Sequence, residues 1–169
     1  MNPEDFDRAS KFWAEKDRNT EKMPDDQLRQ WVDSFLARHN TLALATASTS
    51  GVRCTPLEYT WKNGAIVIVS EGGEKFAHLK ENPQVGVAIF DLYTGFGALS
   101  SVQVSGSARV DRLDAGSIDE LAEWVPYPAD TFRKLDHPMY LIRIAPARID
   151  VLSSSFKDLD YDARKSLEC

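Results

Sequence analysis

The chain has 169 residues, of which 43% are apolar and 27% are charged, and its formal net charge at pH 7 is −6. This length predicts a single domain that can bury a core without help from disulfides or metals. The acidic balance, with an isoelectric point near 5.1, argues against binding to nucleic acid or to an anionic membrane surface.

Membrane insertion and secretion are not expected from the sequence. No apolar run reaches the roughly 18 residues that a transmembrane helix needs. The acidic N-terminus lacks the basic and apolar regions of a signal peptide. Two cysteines, Cys54 and Cys169, are too few for a disulfide framework. We therefore expect a protein of the reducing cytoplasm.

Two helices are predicted near the N-terminus. The first spans residues 3–18, and we expect it either to fray or to bury its aromatic residues against another surface, such as a partner subunit. After a polar linker over residues 18–24, the second helix opens at Pro24, which suits a first turn, and ends at Arg38–Asn40. The aromatic residues of the first helix are Phe6, Phe12 and Trp13. The regular apolar stripe of the second consists of Leu28, Trp31, Val32, Phe35 and Leu36.

The sequence next predicts the strands of a sheet. Residues 41–46 read as the first core strand, and residues 47–51 as a turn. The dipeptide Asn63-Gly64 is typical of a type I′ hairpin turn, which needs positive φ at both central residues. Residues 53–61 and 65–70 are therefore predicted to pair as antiparallel strands.

The segment from Ser70 to Lys75 is a glycine-rich turn that opens a short helical pattern, which stops at Asn82-Pro83. Free backbone N–H groups at such a turn attract anions. Lys75 adds a mobile positive charge, and Arg53 on the preceding strand adds a guanidinium that can bind two oxygens at once. The pattern favours a phosphate site, and the alternative is a tight strand-to-helix turn with two surface cations.

The remaining elements follow in order. Residues 84–91 are apolar at nearly every position, as in a strand with both faces covered. Residues 92–99 are rich in glycine and aromatic residues, so they form either a plain loop or a pocket wall in which Tyr93 and Phe96 pack on a flat ring. A half-buried strand, two helices and a final strand with a break at Ala145-Pro146 are predicted over residues 101–112, 114–124, 129–135 and 139–152. The charged tail over residues 153–169 either lies on a partner subunit or is partly disordered.

The central stretch resembles the pyridoxamine 5′-phosphate oxidase-like superfamily, the split β-barrel flavoproteins. The matching residues, in order, are Thr46, Gly51, Arg53, Pro56, Ser70, Gly72, Lys75, Asn82, Pro83, Val85 and Asp91. The resemblance covers residues 25–152 and implies a mainly β, α+β fold, a six-stranded antiparallel split barrel of the FMN-binding type. Residues 1–24 would then be an N-terminal helical extension, and residues 153–169 a C-terminal tail.

The resemblance also implies a homodimer with FMN at the subunit interface, in which Arg53 and Lys75 contact the cofactor phosphate. The backbone near the isoalloxazine ring would come from the first strand of the hairpin, and Gln103 would approach the flavin from the other subunit. Tyr93 and Phe96 are expected on the substrate side. The complete set of expected cofactor-binding residues is Arg53, Cys54, Thr55, Pro56, Ser70, Gly72, Gly73, Lys75 and Gln103.

Two departures from the family pattern narrow the function. The oxidases proper usually carry Arg-Lys in the turn, whereas this chain has Glu74-Lys75. The substrate-binding motif near the C-terminus of the oxidases, an Arg-Leu-His-Asp-Arg-like stretch, is also absent. The resemblance therefore supports the fold and a flavin, and it argues against the vitamin B6 reaction.

Three functions remain open from the sequence. The first is an FMN-dependent oxidoreductase that acts on a small molecule, with no catalytic acid or base assigned. The second is a haem-binding or haem-handling protein, for which His137 is the candidate ligand. The third keeps the enzyme class and replaces FMN with a deazaflavin. No metal site is expected, because His39, His78 and His137 are scattered and no Cys-x-x-Cys motif occurs.

Overall fold

The computed structural model describes residues 2–17, 21–122, 125 and 127–169. The helices of this part are α1 (Pro3–Asp17), α2 (Asp25–Arg38), α3 (Lys75–Glu81), α4 (Ala115–Ala122) and α5 (Ala129–Arg133). The strands are β1 (Thr41–Ser48), β2 (Gly51–Glu58), β3 (Thr60–Lys62), β4 (Ala65–Ser70), β5 (Gln84–Phe90), β6 (Ser100–Arg112), β7 (Tyr140–Ser153) and β8 (Arg164–Glu168). Among the described residues, no helix is both long and apolar enough to span a bilayer.

The strands form one antiparallel sheet in the order β2-β1-β5-β6-β7-β4-β3, and β8 pairs with β7. The two ends of this order, β2 and β3, are consecutive in the chain and are separated only by Tyr59. The sheet must therefore curl until its edges meet, which produces a barrel with a split between β2 and β3. Tyr59 is buried at this junction, and its hydroxyl donates to the Leu36 carbonyl at 2.8 Å.

The predicted α+β class is confirmed, but the described part of the sheet has eight strands where six were expected. One extra strand arises because Tyr59 separates β2 from β3. The other is β8, which comes from the tail and pairs with Arg148–Leu152 of β7. The tail also buries Phe156 completely, with its ring edge-on to Trp31 at 5.1 Å.

The predicted hairpin is correct only at its turn. Asn63 and Gly64 have φ angles of 52° and 75°, as a type I′ turn requires, and β3 pairs with β4 across them. The longer strand β2, by contrast, pairs with β1 over its whole length, from Gly51 opposite Ser48 to Glu58 opposite Thr41. The tight turn before Gly51 joins β1 and β2 in a second hairpin. Most of the strand that was expected to pair with β4 therefore pairs with β1.

The core lies inside the barrel and beneath α2. The buried face of α2 consists of Leu28, Val32, Phe35 and Leu36, and it packs with the inward residues of the sheet in one cluster. Trp31 stacks on Phe35 with the ring centroids 5.0 Å apart. The apolar stripe that the sequence predicted for the second helix is therefore the face that closes the barrel.

The two halves of the barrel exterior differ. Helices α4 and α5 cover the outer side of β4 and β7, where Val67 and Leu141 pack with Leu121 and Phe132 in a second cluster. The outer side of β2, β1, β5 and β6 carries mostly small or polar residues that are half-buried or exposed: Cys54, Pro56, Ala43, Ala45, Ala47, Gly86, Ala88, Gln103 and Ser105. The expectation that both faces of β5 are covered is thus wrong within one chain, because Phe90 is exposed.

The helix boundaries agree with the predictions to within two residues wherever the structure describes them. The helix expected over residues 114–124 is α4, which ends at Ala122, and Glu123 and Trp124 lie outside the described residues. On α1, Phe6 and Phe12 are exposed, so these aromatic rings do not pack into the core of their own chain. The side chain of Trp13 lies outside the described residues.

Candidate functional site

The turn between β4 and α3 is built from local hydrogen bonds and two glycines. Gly72 and Gly73 have φ angles of 129° and 97°, a region of backbone space that residues with a Cβ rarely adopt. The buried Ser70 braces the turn, because its Oγ accepts a hydrogen bond from the Gly72 N–H at 3.2 Å. The glycines that the sequence identified are therefore required by the shape of this turn.

Lys75 lies under this turn and is only 7% exposed. Its Nζ donates to the Gly72 carbonyl. Burial lowers the pKa of Lys75, and the positive charge of Arg53 lowers this pKa further. Two cations thus lie within electrostatic reach of each other, and an anion bound between them would offset their mutual repulsion.

Arg53 forms an ion pair with Glu74 across the space between β2 and the turn. The Arg53 side chain is about half-exposed and the Glu74 side chain is mostly exposed. This pairing explains how a carboxylate is accommodated at the position where the oxidases usually carry arginine. It also means that Arg53 is directed towards the turn, as the phosphate assignment requires.

Residues at alternate positions of β2 face the barrel side of the sheet. Arg53, Thr55 and Leu57 lie opposite Thr46, Leu44 and Leu42 of β1, all of which are buried. The Thr55 Oγ1 atom is itself buried and has no hydrogen-bond partner among the described residues. A buried hydroxyl without a partner is costly. Because this atom is closed to solvent in the cofactor-free chain, a bound group could supply the partner only after the side chains around Thr55 moved.

A cleft of about 560 Å³ opens beside the turn. Its polar lining consists of Ser70, Glu71, Gly72, Gly73 and Lys75, and its apolar lining of Leu57, Val69 and Met139. The cleft therefore combines donors and a buried cation at one end with an apolar wall, a combination that suits a phosphate carried on a flat ring. On these observations, the residues present fit a flavin nucleotide.

The structure brings together only part of the predicted site. Ser70, Gly72, Gly73 and Lys75 line the cleft, and Arg53 reaches the turn through Glu74. Cys54 and Pro56 lie on the outer side of β2, where both are exposed. Gln103 and Tyr93 line a separate groove of about 300 Å³ on the barrel exterior. Phe96 is exposed and packs edge-on against Tyr93, with ring centroids 6.1 Å apart.

Sequence reasoning missed the apolar wall of the cleft. The alternation of β2 carried a usable signal, because Leu57 is four residues after Arg53 and therefore shares its face. Val69 directly precedes Ser70, so its place beside the turn also followed from the sequence. Met139 gave no such signal, because its approach to the turn depends on the pairing of β4 with β7.

His137, the candidate haem ligand, lies beside the same turn. Its Nδ1 is 2.9 Å from Asp136 Oδ1, and its Nε2 is 3.5 Å from Glu71 Oε1. The hydrogen bond with Asp136 and the negative charge of Glu71 raise the pKa of His137. Both ring nitrogens face carboxylates, whereas a haem iron needs one nitrogen that is unprotonated and accessible.

Comparisons with known proteins extend this description. Residues 28–153 match the family described as pyridoxamine 5′-phosphate oxidase. A search of curated proteins found no significant match.

Solved structures share the fold at low sequence identity. A FAD-binding protein from Mesorhizobium loti is 18% identical, with a TM-score of 0.60 over 83% of this chain and 94% of that chain. A heme binding protein from Mycobacterium smegmatis is 18% identical, with a TM-score of 0.64 over 88% of this chain and 60% of that chain. HutZ, the heme storage protein from Vibrio cholerae, is 20% identical, with a TM-score of 0.55 over 70% of this chain and 89% of that chain.

The family match begins within α2 and ends with β7, so it contains strands β1 to β7, the glycine turn and both cations of the candidate site. The solved structures share this fold, but their names record different bound groups, FAD in one and haem in another. The chain therefore belongs to the pyridoxamine 5′-phosphate oxidase-like split-barrel family.

Proposed function

We propose that this protein binds a flavin nucleotide, FMN by family resemblance, and acts as an oxidoreductase on a small molecule. The observation that carries the proposal is the pair of cations, Arg53 and Lys75, beside a cleft whose other wall is apolar. A phosphate at this position would be held by charge-assisted hydrogen bonds, which are about twice as strong as neutral ones.

Each part of the cleft has a task in this proposal. Lys75 and Arg53 bind the phosphate, and Ser70 holds the turn in the shape that presents Lys75. Leu57, Val69 and Met139 exclude water from one side of the ring. The bound flavin would supply the electron-transfer chemistry, while the protein orients the ring and shields it from solvent.

We further propose a homodimer with the cofactor at the subunit interface. The outer side of β2, β1, β5 and β6 supports this proposal, because its small residues permit a second sheet to approach closely. The groove that is lined by Tyr93 and Gln103 lies on this side of the barrel. We propose that a second copy of the chain covers this groove. The two free cysteines agree with the proposed location in the reducing cytoplasm.

Haem binding is the second candidate function. Two proteins of similar fold are named for haem, and His137 lies beside the cleft. The carboxylates of Asp136 and Glu71 would have to release the imidazole before it bound iron, which is why we place this function second. A deazaflavin remains the third candidate, because its ring and phosphate would use the same residues.

The test is the absorption spectrum of the purified protein, followed by FMN titration of the wild type and of the variants Arg53→Ala and Lys75→Ala. Each substitution removes one charged ligand, so FMN affinity should fall about tenfold or more. Lys80→Ala is the matched control, because Lys80 is an exposed lysine on the same helix. Its affinity should equal that of the wild type.

Two results would contradict the proposal. Unchanged FMN affinity in both variants would remove the phosphate assignment, provided that their melting temperatures show an intact fold. A strong Soret band in the purified protein, lost in a His137→Ala variant, would favour haem and overturn the flavin function.

A further inference from the structure

A second pocket lies at the split of the barrel, where β2 ends and β3 begins. Its volume is about 290 Å³, near the lower end of the range for small-molecule sites. Val67 and Val69 of β4 form one apolar side of this split pocket, and Val69 also lines the cleft beside the glycine turn. The aromatic residues that line the split pocket are Tyr59, Trp61 and Tyr127.

Glu58, the last residue of β2, supplies a carboxylate to the split pocket. Both of its carboxylate oxygens lie 2.7 Å from the Tyr127 hydroxyl, which is the one hydrogen-bond donor to this carboxylate among the described residues. A hydroxyl has a single proton to donate, so the carboxylate keeps most of its capacity to accept hydrogen bonds. This hydrogen bond raises the pKa of Tyr127, so the hydroxyl remains neutral near pH 7.

The C-terminal end of α2 reaches the same pocket. The Asn40 carbonyl accepts a hydrogen bond from the Tyr59 N–H at 2.8 Å. Thr41 pairs with Glu58 in the ladder of β1 and β2. The last turn of α2 therefore ends beside Glu58, and Ala37 from that turn lines the pocket. A helix C-terminus carries a partial negative charge of about half a unit, so the helix end and the carboxylate both favour a cation.

The basic residues at this end of α2 are directed to a different carboxylate. Arg38 Nη2 lies 3.3 Å from Asp91 Oδ2, and His39 Nε2 lies 2.8 Å from Asp91 Oδ1. The other ring nitrogen of His39, Nδ1, is 2.7 Å from the Phe35 carbonyl oxygen. Among the described residues that line the split pocket, Glu58 is therefore the one that carries a charge when histidine is neutral.

We propose that the split pocket binds a small organic cation, a protonated amine with an apolar body. The ammonium group donates to Glu58 beside the end of α2, and the apolar body packs against Val67, Val69 and the ring of Trp61. Aromatic rings also attract cations through their π faces, so the pocket walls add to the effect of the carboxylate. This inference gives the protein a ligand site next to the cleft, and it does not rest on the proposed flavin function.

The experiment compares two probes of nearly equal shape, 2-phenylethylamine and its neutral analogue 2-phenylethanol. The whole chain, labelled with ¹⁵N, is titrated with each probe at about pH 8, where the amine is protonated and an ordinary histidine is neutral. The readout is the NMR signal of the Trp61 indole N–H, which donates to Asp33 Oδ1 at 2.9 Å and so belongs to a fixed group of the pocket wall. A Trp61→Phe variant assigns this signal.

Two variants separate the carboxylate from the net charge of the protein. Glu58→Gln removes the charge and keeps the size of the side chain and its ability to accept from Tyr127. The control Glu81→Gln removes the same charge close to the opposite end of β2, where Thr49 in the turn before this strand donates to Glu81 at 2.8 Å. An extended strand of this length places the two carboxylates roughly 20 Å apart.

In the wild type, the amine should shift the Trp61 signal with a dissociation constant of about 1 mM or lower, as a ligand of this size allows. The alcohol should bind about fivefold more weakly, because it lacks the ion pair with an exposed carboxylate. Glu58→Gln should weaken the amine by the same factor and leave the alcohol unchanged. Glu81→Gln should bind both probes as the wild type does.

Three results would overturn the inference. A Trp61 signal that does not move with either probe would mean that the split pocket is not a ligand site. Equal affinity for the amine and the alcohol, or an unchanged amine affinity in Glu58→Gln, would show that the carboxylate does not select a cation. An equal loss in Glu81→Gln would assign the effect to net charge. The absorption spectrum of the same samples reports bound flavin, so either function can fail while the other stands.

Discussion

The buried hydroxyl of Thr55 is an unpaired polar group on the wall that carries Arg53. We predict that Thr55→Val, which keeps the shape and removes the hydroxyl, leaves the free energy of unfolding of the cofactor-free protein unchanged or raises it by about 1 kcal/mol. Flavin affinity should fall several-fold if the hydroxyl bonds the ligand. Urea unfolding and flavin titration measure the two effects separately. A clear loss of stability without a change in affinity would show that the hydroxyl serves the fold instead.

At the residue scale, the sequence identified the groups whose roles are local. Gly72, Gly73 and Lys75 are close together in the chain, so their spacing predicted a glycine-rich turn followed by a cation. The sequence predicted this cation to be mobile, whereas Lys75 is buried beneath the turn. The pairing of Arg53 with Glu74 joins residues that are 21 positions apart. No local pattern contains that information, because it depends on how β2 approaches the turn. The sequence identified Glu74 as a departure from the family pattern. It did not identify Arg53 as the residue that pairs with Glu74.

At the element scale, the long strands β6 and β7 keep their pairing through an irregularity. The register shifts between Ser105 and Gly106, and Ala147 has no direct partner on β6. A Cβ at Gly106 would lie 2.3 Å from the Ala145 carbonyl oxygen, which is a backbone atom that cannot easily move. Only glycine fits here. The bulge in β7 is therefore possible because β6 has a glycine, Gly106, at this point. Gly106 lies opposite Ala145-Pro146, where the sequence predicted a break in the last strand.

We predict that Gly106→Ala lowers the free energy of unfolding by about 1–3 kcal/mol, because the new methyl group forces the two strands apart. Chemical unfolding of both proteins measures the change. Gly97→Ala is the control, since a Cβ there meets no atom within 4 Å, and it should stay within about 0.5 kcal/mol of the wild type. Equal stability of Gly106→Ala and the wild type would mean that the bulge is more adaptable than its geometry indicates.

The element that sequence reasoning paired wrongly is β2. Its alternation was correctly interpreted as a strand, and Asn63-Gly64 was correctly interpreted as a turn. The error lay in joining the two, because a strand pattern specifies which residues share a face and not which neighbour they pair with. Gly51, with a φ of 129°, closes the competing turn to β1. Gly51 was thus a sign of this turn in the sequence, but a weaker indication of a turn than Asn63-Gly64.

At the scale of the whole molecule, closure of the barrel follows from one short connection. Because a single residue, Tyr59, joins the two edge strands, the sheet cannot lie flat. Composition predicted one domain with a core of its own, and periodicity predicted the apolar stripe of the second helix. They did not predict which half of the barrel exterior would be covered by α4 and α5, because that depends on contacts such as Val67 with Phe132.

The uncovered half of the exterior leads to a prediction about assembly. Ala45 lies at its centre, where a Cβ at Gly86 would be 3.7 Å from the Ala45 methyl. We predict that Ala45→Arg turns the proposed dimer into a monomer of 19.0 kDa, because a charged side chain on a close-packed sheet interface cannot be desolvated without a partner. Sedimentation equilibrium measures the mass. The control Thr131→Arg adds the same charge on α5, at an exposed position over the covered half, and should remain dimeric.

The same variant also tests where the cofactor lies. In a single chain, the arginine can extend into solvent, so the melting temperature of the monomer should reflect only the loss of assembly. If the cofactor lies at the interface, Ala45→Arg should lose flavin together with the dimer, although Arg53 and Lys75 are unchanged. Flavin that remains bound to a monomer with wild-type affinity would place the whole site within one chain. In that case Gln103 and Tyr93, which line a separate groove, would have no part in binding it.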